Sequence, residues 1–237
     1  MSFRQIFSLY LLLFSSFVAY AQDEMPSVSA IAVYVDSAGV SQETTKIGDG
    51  EAPLEVTFMA RPSNMGSHTP SYEWHFKKEG SEGELFVRYE ENTTFRFVES
   101  GSYEIVLKTI LTDTGEELSP NTINVAISES RLEFPNAFSP NNDGTNDIYG
   151  AKGVNDPNSP AHYKSIVEFH AYIFNRWGQK LFEWTDVSKG WDGKYKGHDV
   201  EEGVYYVLVK ARGADGRKYN IKKDVNLLRG FTEGTNK

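Results

Sequence analysis

Cysteine is the first absence in this sequence of 237 residues. Without it there is no disulfide framework, no thiolate zinc site, no cysteine nucleophile and no cysteine for lipid attachment. The fold therefore has to be stabilised by its buried core. A chain of this length is long enough for one large or two ordinary domains.

Signatures of catalysis are also missing. The five histidines are dispersed, none stands in an H-E-x-x-H pattern, and there is neither a G-x-S-x-G motif nor a phosphate-binding glycine loop. His75 and His170 lie in strand-like patterns, where a hydrogen-bonded structural histidine is expected. The carboxylate pair of a glycoside hydrolase depends on a separation in space that a sequence does not contain. We therefore predict that the protein is not an enzyme, with a hydrolase as the remaining catalytic alternative.

Beyond residue 21 the sequence has neither a run apolar enough to span a membrane nor a cluster of basic residues, and its net charge is −9. An acidic surface with no basic stripe argues against nucleic acid as a partner. The same negative net charge is typical of a soluble protein outside the cell, and it is compatible with the binding of divalent cations. Neither a nucleic-acid partner nor a membrane-spanning segment is expected.

The first residues have the pattern of a secretory signal peptide. Arg4 supplies the positive charge, residues 6–18 form a short apolar run, and Ala19-Tyr20-Ala21 gives the small-x-small cleavage pattern. We assign residues 1–21 to the signal peptide. The mature protein is then exported through the inner membrane and lies at the cell surface or is secreted; a periplasmic location is the alternative.

Apolar and polar residues alternate through most of the remaining chain, and no stretch shows a sustained period of 3.6. Turn-forming clusters at regular intervals favour β-sandwiches, with a barrel as the alternative. The predicted fold class is all-β, with two immunoglobulin-like β-sandwich domains in tandem. The residues predicted to line the apolar faces of the strands are Leu54, Val56, Phe58, Tyr103, Ile105, Leu107, Thr109, Leu111, Ile123, Val125, Ile127, Val167, Phe169, Ala171, Ile173, Val204, Tyr206, Leu208, Tyr219, Ile221, Val225 and Leu227.

The best domain boundary falls near residues 129–131, between a strand pattern and a turn-rich segment. This gives a first domain at 22–129, a second at 130–229 and a polar tail at 230–237, each domain being of ordinary size.

The first domain resembles a polycystic-kidney-disease (PKD) type domain, an immunoglobulin-like sandwich. The segments that carry the resemblance are APLEVTF at 52–58, YEWHF at 72–76 and FVESGSYEIVL at 97–107. The resemblance implies a spacer or a protein-binding module. Trp74 stands where such sandwiches bury a tryptophan.

The second domain resembles the gliding-motility-associated C-terminal domain, the type B sorting domain of the type IX secretion system of Bacteroidetes. The matching segments are FPNAFSPNNDGTND at 134–147, IFNRWGQKLFE at 173–183, GWDGKYKG at 190–197 and GVYYVL at 203–208. The resemblance implies passage across the outer membrane and attachment to the cell surface. Its partner would be the secretion machinery or another surface protein. Because only one domain precedes it, a small accessory component of the gliding or secretion apparatus is an alternative.

Three further tryptophans raise a carbohydrate-binding alternative. Trp177 and Trp191 lie in glycine-bearing turns and Trp184 ends a strand pattern. Exposed aromatic rings in a flat row could stack on sugar rings of a glycan, but large aromatic residues are more often structural. We favour the structural interpretation, so that these rings cap the sandwich.

The run FSPNNDGTND at 138–147 resembles half of a calcium-binding loop. With Gly144 at the glycine position of an EF-hand, Asn141, Asp143 and Asp147 fall on ligand positions, but Gly150 replaces the glutamate. These three residues are the candidate metal ligands for a structural calcium ion, and no other cofactor is expected. The alternative is a turn network, in which asparagine and aspartate side chains bind backbone amides of their own loop.

Overall fold

The structure is a computed structural model that describes residues 25–154 and 161–230. The predicted signal peptide and the tail beyond Gly230 lie outside these residues. Every regular element within them is a β-strand, which confirms the predicted all-β fold. In this part of the chain, no helix has the length and apolar character that a membrane span requires.

The first half of the chain forms two sheets that face each other. One sheet has the strand order β2-β1-β4-β7 and the other the order β3-β9-β8-β5-β6. The strands are β1 (Ser27–Val35), β2 (Ser41–Thr44), β3 (Lys46–Gly50), β4 (Leu54–Ser63), β5 (Pro70–Lys78), β6 (Glu84–Arg88), β7 (Asn92–Phe97), β8 (Gly101–Leu111) and β9 (Asn121–Ile127).

The inner faces of these two sheets form one core, because alternate residues of each strand point inward. Trp74 on β5 is fully buried, as predicted, and its indole Nε1 donates to the carbonyl oxygen of Glu90 at 3.0 Å. The ring of Phe58 on β4 packs against Trp74, with the ring centroids 6.0 Å apart. A buried tryptophan between two sheets is typical of immunoglobulin-like sandwiches.

The second half is built on a five-stranded sheet with the order β11-β20-β19-β14-β15. Three two-stranded ribbons accompany it, formed by β10 with β13, β12 with β16 and β17 with β18. The strands are β10 (Arg131–Leu132), β11 (Ala137–Phe138), β12 (Tyr149–Gly150), β13 (Tyr163–Lys164), β14 (Ile166–Phe174), β15 (Lys180–Trp184), β16 (Gly190–Trp191), β17 (Lys194–Tyr195), β18 (His198–Asp199), β19 (Gly203–Gly213) and β20 (Lys218–Leu227).

A second core lies on one face of this sheet. It combines inward residues of β14, β19 and β20 with Tyr149 and Trp191 from the ribbons and with Leu132 and Phe134 near the domain boundary. Apart from Ala214 and the partly buried Val167, the residues of the first core precede those of the second core in the sequence. The boundary at residues 129–131 stays a prediction.

The predicted inward face of β19 is wrong. The pattern of β19 predicted that Val204, Tyr206 and Leu208 point inward, but the buried residues are Tyr205, Val207 and Val209. The relative exposure of Val204 is 46% and that of Tyr206 is 49%. Apolar residues occupy both alternating sets of this strand, so that alternation alone does not identify the inward set.

The two cores meet at a short seam. Ala214, which follows β19, is buried in the core of the first domain, and its backbone amide donates to the carbonyl of Ser165 at 2.9 Å. Lys164 forms an ion pair of 2.5 Å with Asp49 across the seam. A bulge after Ile166 turns β14, so that Val167 packs against the first core and not the second, where its strand pattern placed it.

Candidate functional site

Three of the four sequence segments that carry the sorting-domain resemblance meet at one end of the second core. Trp191 of the GWDG segment is fully buried, with its ring centroid 5.4 Å from that of Phe138 and 5.1 Å from that of Tyr205. Its Nε1 donates to the carbonyl of Lys194 at 2.8 Å. Three separate segments therefore form one packing unit around this indole.

Arg229 joins the same segments from the end of β20. Its Nη1 donates to the carbonyl of Pro140 at 3.0 Å, and its Nη2 donates to the carbonyls of Gly193 at 2.8 Å and Val200 at 3.2 Å. Charged donors make the stronger hydrogen bonds to carbonyls. The sequence alone does not predict that Arg229 joins these segments. It shows only that Arg229 follows the last strand.

Tyr149 and Lys223, two polar side chains inside this domain, have hydrogen-bond partners, whereas the buried His170 Nε2 and Trp184 Nε1 have none among the residues that the structure describes. Burial raises the pKa of the Tyr149 phenol above its ordinary range, and its hydroxyl donates to the carbonyl of Pro135 at 3.2 Å. Burial also lowers the pKa of Lys223, whose inward-facing Nζ donates to the carbonyl of Phe134 at 3.0 Å. Both side chains therefore serve the packing of the segment that opens the domain.

The loop proposed to bind calcium is closed by its own hydrogen bonds. Asp147 Oδ1 accepts the backbone amides of Asn141 at 2.9 Å and Asn142 at 2.6 Å. Its Oδ2 accepts the amide of Gly144 at 2.8 Å. Asp143 Oδ1 accepts the amide of Thr145 at 2.9 Å, and Asp143 Oδ2 accepts the side-chain amide of Asn141 at 2.9 Å.

These contacts correspond to the turn-network alternative. Both lone pairs of Asp147 Oδ1 are directed at amides, which leaves this oxygen without a free site for a cation. In residues 25–154 and 161–230, no three histidine or acidic side chains are grouped as metal ligands. An ion at this loop would have to replace hydrogen bonds that the loop already makes. The calcium site at Asn141, Asp143 and Asp147 stays a prediction.

The NRWG segment forms the tight turn between β14 and β15. Asn175 Oδ1 accepts the backbone amides of Trp177 and Gln179, both at 3.0 Å. Gly178 has a φ of 78°, which glycine adopts without strain. This turn holds the Trp177 side chain away from the core, with 79% of its surface exposed.

The structural interpretation of the tryptophans is confirmed for Trp74, Trp184 and Trp191, which are all buried. It is wrong for Trp177. The guanidinium carbon of Arg176 lies 5.0 Å from the centroid of the Trp177 ring, so that the ring has one cation beside it. Binding residues lie disproportionately on loops that a rigid scaffold positions, and tryptophan is enriched at interfaces.

The histidines within strands also have the structural contacts that were expected. His75 lies between two acidic side chains, with Nδ1 3.0 Å from Glu84 and Nε2 3.2 Å from Glu73. The ring of His170 stacks on that of Tyr172, with the centroids 4.4 Å apart.

Comparisons with solved structures find only distant likeness. The FN1–FN3 domains of chicken CNTN1 are 10% identical with a TM-score of 0.28, over 81% of this chain and 76% of that one. SGBP-B of the Bacteroides ovatus mixed-linkage glucan utilization locus, solved with a mixed-linkage heptasaccharide, is 12% identical with a TM-score of 0.24, over 77% of this chain. A Ca²⁺-stabilised adhesin with which an Antarctic bacterium binds ice is 11% identical with a TM-score of 0.28, over 87% of this chain.

The alignments cover 42% of SGBP-B and 58% of the adhesin. These TM-scores are too low to support an argument about function. A search of curated proteins finds no match to this chain.

The comparison with protein families gives a direct assignment for the second domain. Residues 132–225 match the CHU_C type IX secretion signal domain. The match contains the segments that meet around Trp191, and a domain of this kind implies export by type IX secretion to the cell surface or the exterior. The resemblance of the second domain that the sequence predicted is thus confirmed by this family match over residues 132–225.

Proposed function

We propose that the protein is a non-catalytic surface protein of which the second domain, residues 130–229, directs type IX secretion and surface attachment. The observation that carries the proposal is the family match over residues 132–225. The partner of this domain is the secretion machinery or another surface protein. The first domain, residues 22–129, acts as a PKD-like spacer or protein-binding module.

The proposal is tested in the native cells by two complementary changes. A chain that lacks residues 130–229 is expected to remain inside the outer membrane, whereas the full chain reaches the surface and is removed by protease shaving. Fusion of residues 130–237 to a periplasmic reporter behind residues 1–21 is expected to bring the reporter to the surface. Equal surface exposure of the full and shortened chains would reject the sorting role.

A carbohydrate-binding surface protein is the second candidate, and the exposure of Trp177 is the observation that favours it. Its test is the binding of the purified chain to a glycan array. A Trp177→Ala variant is expected to lose that binding. The matched control is Tyr89→Ala, which removes an aromatic ring of similar exposure from the first domain.

The calcium proposal is tested separately by thermal melting in Ca²⁺ and in a chelator. Binding of an ion to the loop of Asn141, Asp143 and Asp147 would raise the melting temperature in Ca²⁺, because a ligand that binds only the folded state stabilises it. An unchanged melting temperature would assign the loop to the turn network alone.

A further inference from the structure

The outer face of the five-stranded sheet carries an aromatic and aliphatic surface at its centre. Phe174 on β14 pairs with Tyr206 on β19, and Tyr172 pairs with Leu208 in the neighbouring row. All four side chains point away from the core, because Ile173 and Val207 between them are buried. We call these four residues the aromatic face. Tyr206 is exposed, and the other three side chains are half-buried beside it. A contiguous apolar surface on the outer face of a sheet marks a candidate interaction site.

Charged residues complete the two rows on either side. In the first row, Lys180 on β15 pairs with Phe174, and Asp224 on β20 pairs with Tyr206. The first row therefore reads Lys180, Phe174, Tyr206, Asp224 across the sheet.

The second row has the opposite signs at its ends. Glu183 on β15 pairs with Tyr172, and Lys222 on β20 pairs with Leu208. It reads Glu183, Tyr172, Leu208, Lys222. At each edge of the sheet, a cation in one row is thus adjacent to an anion in the other.

This arrangement is complementary to itself. Two copies can face each other with their strands antiparallel, related by a two-fold axis that runs across the strands and passes between the two rows. This axis places the first row of one copy against the second row of the other. Every charge then meets the opposite charge, and the apolar residues meet one another. A two-fold interface requires such a self-complementary patch. We propose that the aromatic face is the interface of a homodimer.

Other occupants fit the surface less well. A sugar ring stacks on an open aromatic face, but the Tyr172 ring lies between His170, at 4.4 Å, and Phe174, at 6.2 Å between centroids. Lys180 Nζ is also 5.7 Å from the Tyr172 centroid. The two rows carry two cations and two anions, so that they favour neither an acidic nor a basic partner.

The size of the surface is consistent with a weak dimer. The three long strands β14, β19 and β20, spaced about 4.8 Å apart over about 30 Å, together with the shorter β15, give on the order of 500 Å² for each copy. Stable interfaces bury about 800 Å² per partner, and smaller ones belong to weaker complexes. We therefore expect a dissociation constant on the order of micromolar.

Sedimentation equilibrium on the chain from Gln22 to Lys237 tests the proposal. Measurements from about 1 to about 300 µM bracket the expected constant. The expected result is a monomer at the low end and a dimer at the high end. Tyr206→Ala should weaken the dimer roughly tenfold or more, as loss of a central aromatic residue does. The control Tyr89→Ala in the first domain should leave the dimer unchanged.

A charge swap tests the pairing of the rows. Lys222→Glu and Asp224→Lys should each weaken the dimer, because each places like charges opposite each other. The double variant K222E/D224K has the net charge of the original chain, restores opposite charges across the interface and should restore dimerisation. Lys108→Glu, an exposed strand lysine of the first domain, is the matched control.

Three results would overturn the proposal. In the first, the chain stays monomeric throughout the concentration range. In the second, Tyr206→Ala leaves the dimer unaffected. In the third, the single charge variants weaken the dimer and K222E/D224K does not restore it. A monomer whose Tyr206→Ala variant loses binding on a glycan array would assign the face to carbohydrate and also reject it. Melting of each variant at dilute monomer concentration separates loss of dimer from loss of fold.

Discussion

Tyr103 and Tyr205 occupy equivalent positions in the two domains. Each is the third residue of a long strand that begins with glycine, and each hydroxyl donates to the carbonyl of a glutamate four residues earlier: Tyr103 to Glu99 at 2.9 Å and Tyr205 to Glu201 at 2.7 Å. This contact is the tyrosine corner of immunoglobulin-like domains. Its presence in both halves supports an immunoglobulin-like sandwich for each.

Removal of either hydroxyl is expected to destabilise the corresponding domain. Tyr205→Phe and Tyr103→Phe should each lower the free energy of unfolding by about 0.5–1.5 kcal/mol, the net value of one hydrogen bond. Urea unfolding monitored by tryptophan fluorescence measures the change. Tyr89→Phe at an exposed position is the control. Equal stability of all three variants would show that the corner contributes nothing.

Gly190 is required by close packing. Its strand pairs with β12, where Gly150 lies opposite Gly190, and a Cβ atom at Gly190 would lie 2.6 Å from the Cγ2 atom of Ile148 and still closer to the carbonyl of Tyr149. The same ribbon places Trp191 in the core. Glycine at this position therefore lets two backbones approach, which explains the first residue of the GWDG segment.

Substitution of Gly190 should therefore disturb the second domain. Gly190→Ala is expected to destabilise it by about 1–3 kcal/mol through overpacking. Gly48→Ala is the matched control, because a Cβ there meets no atom within 4 Å and the change should be neutral. Thermal melting of both variants is the measurement. A Gly190→Ala variant as stable as the control would contradict the close approach.

At the scale of single elements, the sequence predicted strands well and their faces less well. The inward residues of β4, β8 and β9 agree with the predicted sets, since polar residues such as Glu55, Glu104 and Asn124 occupy most positions of the outer sets. In β19 the segment VYYVLV is apolar in both alternating sets, and packing of the whole domain decides which set is buried. Trp177 is a similar case, because the exposure of a turn residue depends on the direction in which the hairpin projects.

The opening loop of the second domain gives a prediction at this scale. Asp147 accepts three backbone amides, whereas Asp143 accepts one backbone amide and one side-chain amide. Asp147→Ala should therefore cost about 1–3 kcal/mol, because it leaves several amides without an acceptor. Asp143→Ala should cost less.

Urea unfolding of both loop variants in a chelator makes the measurement independent of any ion. A larger loss for Asp143→Ala would contradict the assignment of Asp147 as the centre of the loop. Comparison of the same variants in Ca²⁺ then measures what an ion adds.

At the scale of the whole molecule, contacts between the domains are few but specific. Besides the Lys164–Asp49 ion pair, the amide of Ser100 donates to the carbonyl of Ala214 at 3.0 Å and the amide of Ala52 donates to Ser165 Oγ at 3.2 Å. A cavity of about 320 Å³ at this seam is lined by residues of both domains. Sequence patterns revealed the two domains but not the seam, since its contacts join residues more than a hundred positions apart.

Glu51 at this cavity makes stability dependent on pH. Burial raises its pKa in the folded protein, while Lys164 acts in the opposite direction and Asp49 in the same direction as burial. The folded state therefore holds the proton of Glu51 to a higher pH than the unfolded state. The resulting stabilisation is fully present below the pKa of the unfolded chain, near 4.3, and is lost as the pH rises through the folded pKa.

Glu51→Gln should consequently be more stable than the original chain at pH 7, and the difference should disappear below about pH 4, where the carboxyl is protonated in both states. Urea unfolding of the two proteins between these pH values is the measurement. Glu82→Gln, an exposed glutamate of the first domain, is the control and should show no such pH-dependent difference. A Glu51→Gln variant that is less stable than the original chain at pH 7 would show that the ionised carboxylate stabilises the seam, through Lys164, more than its burial costs.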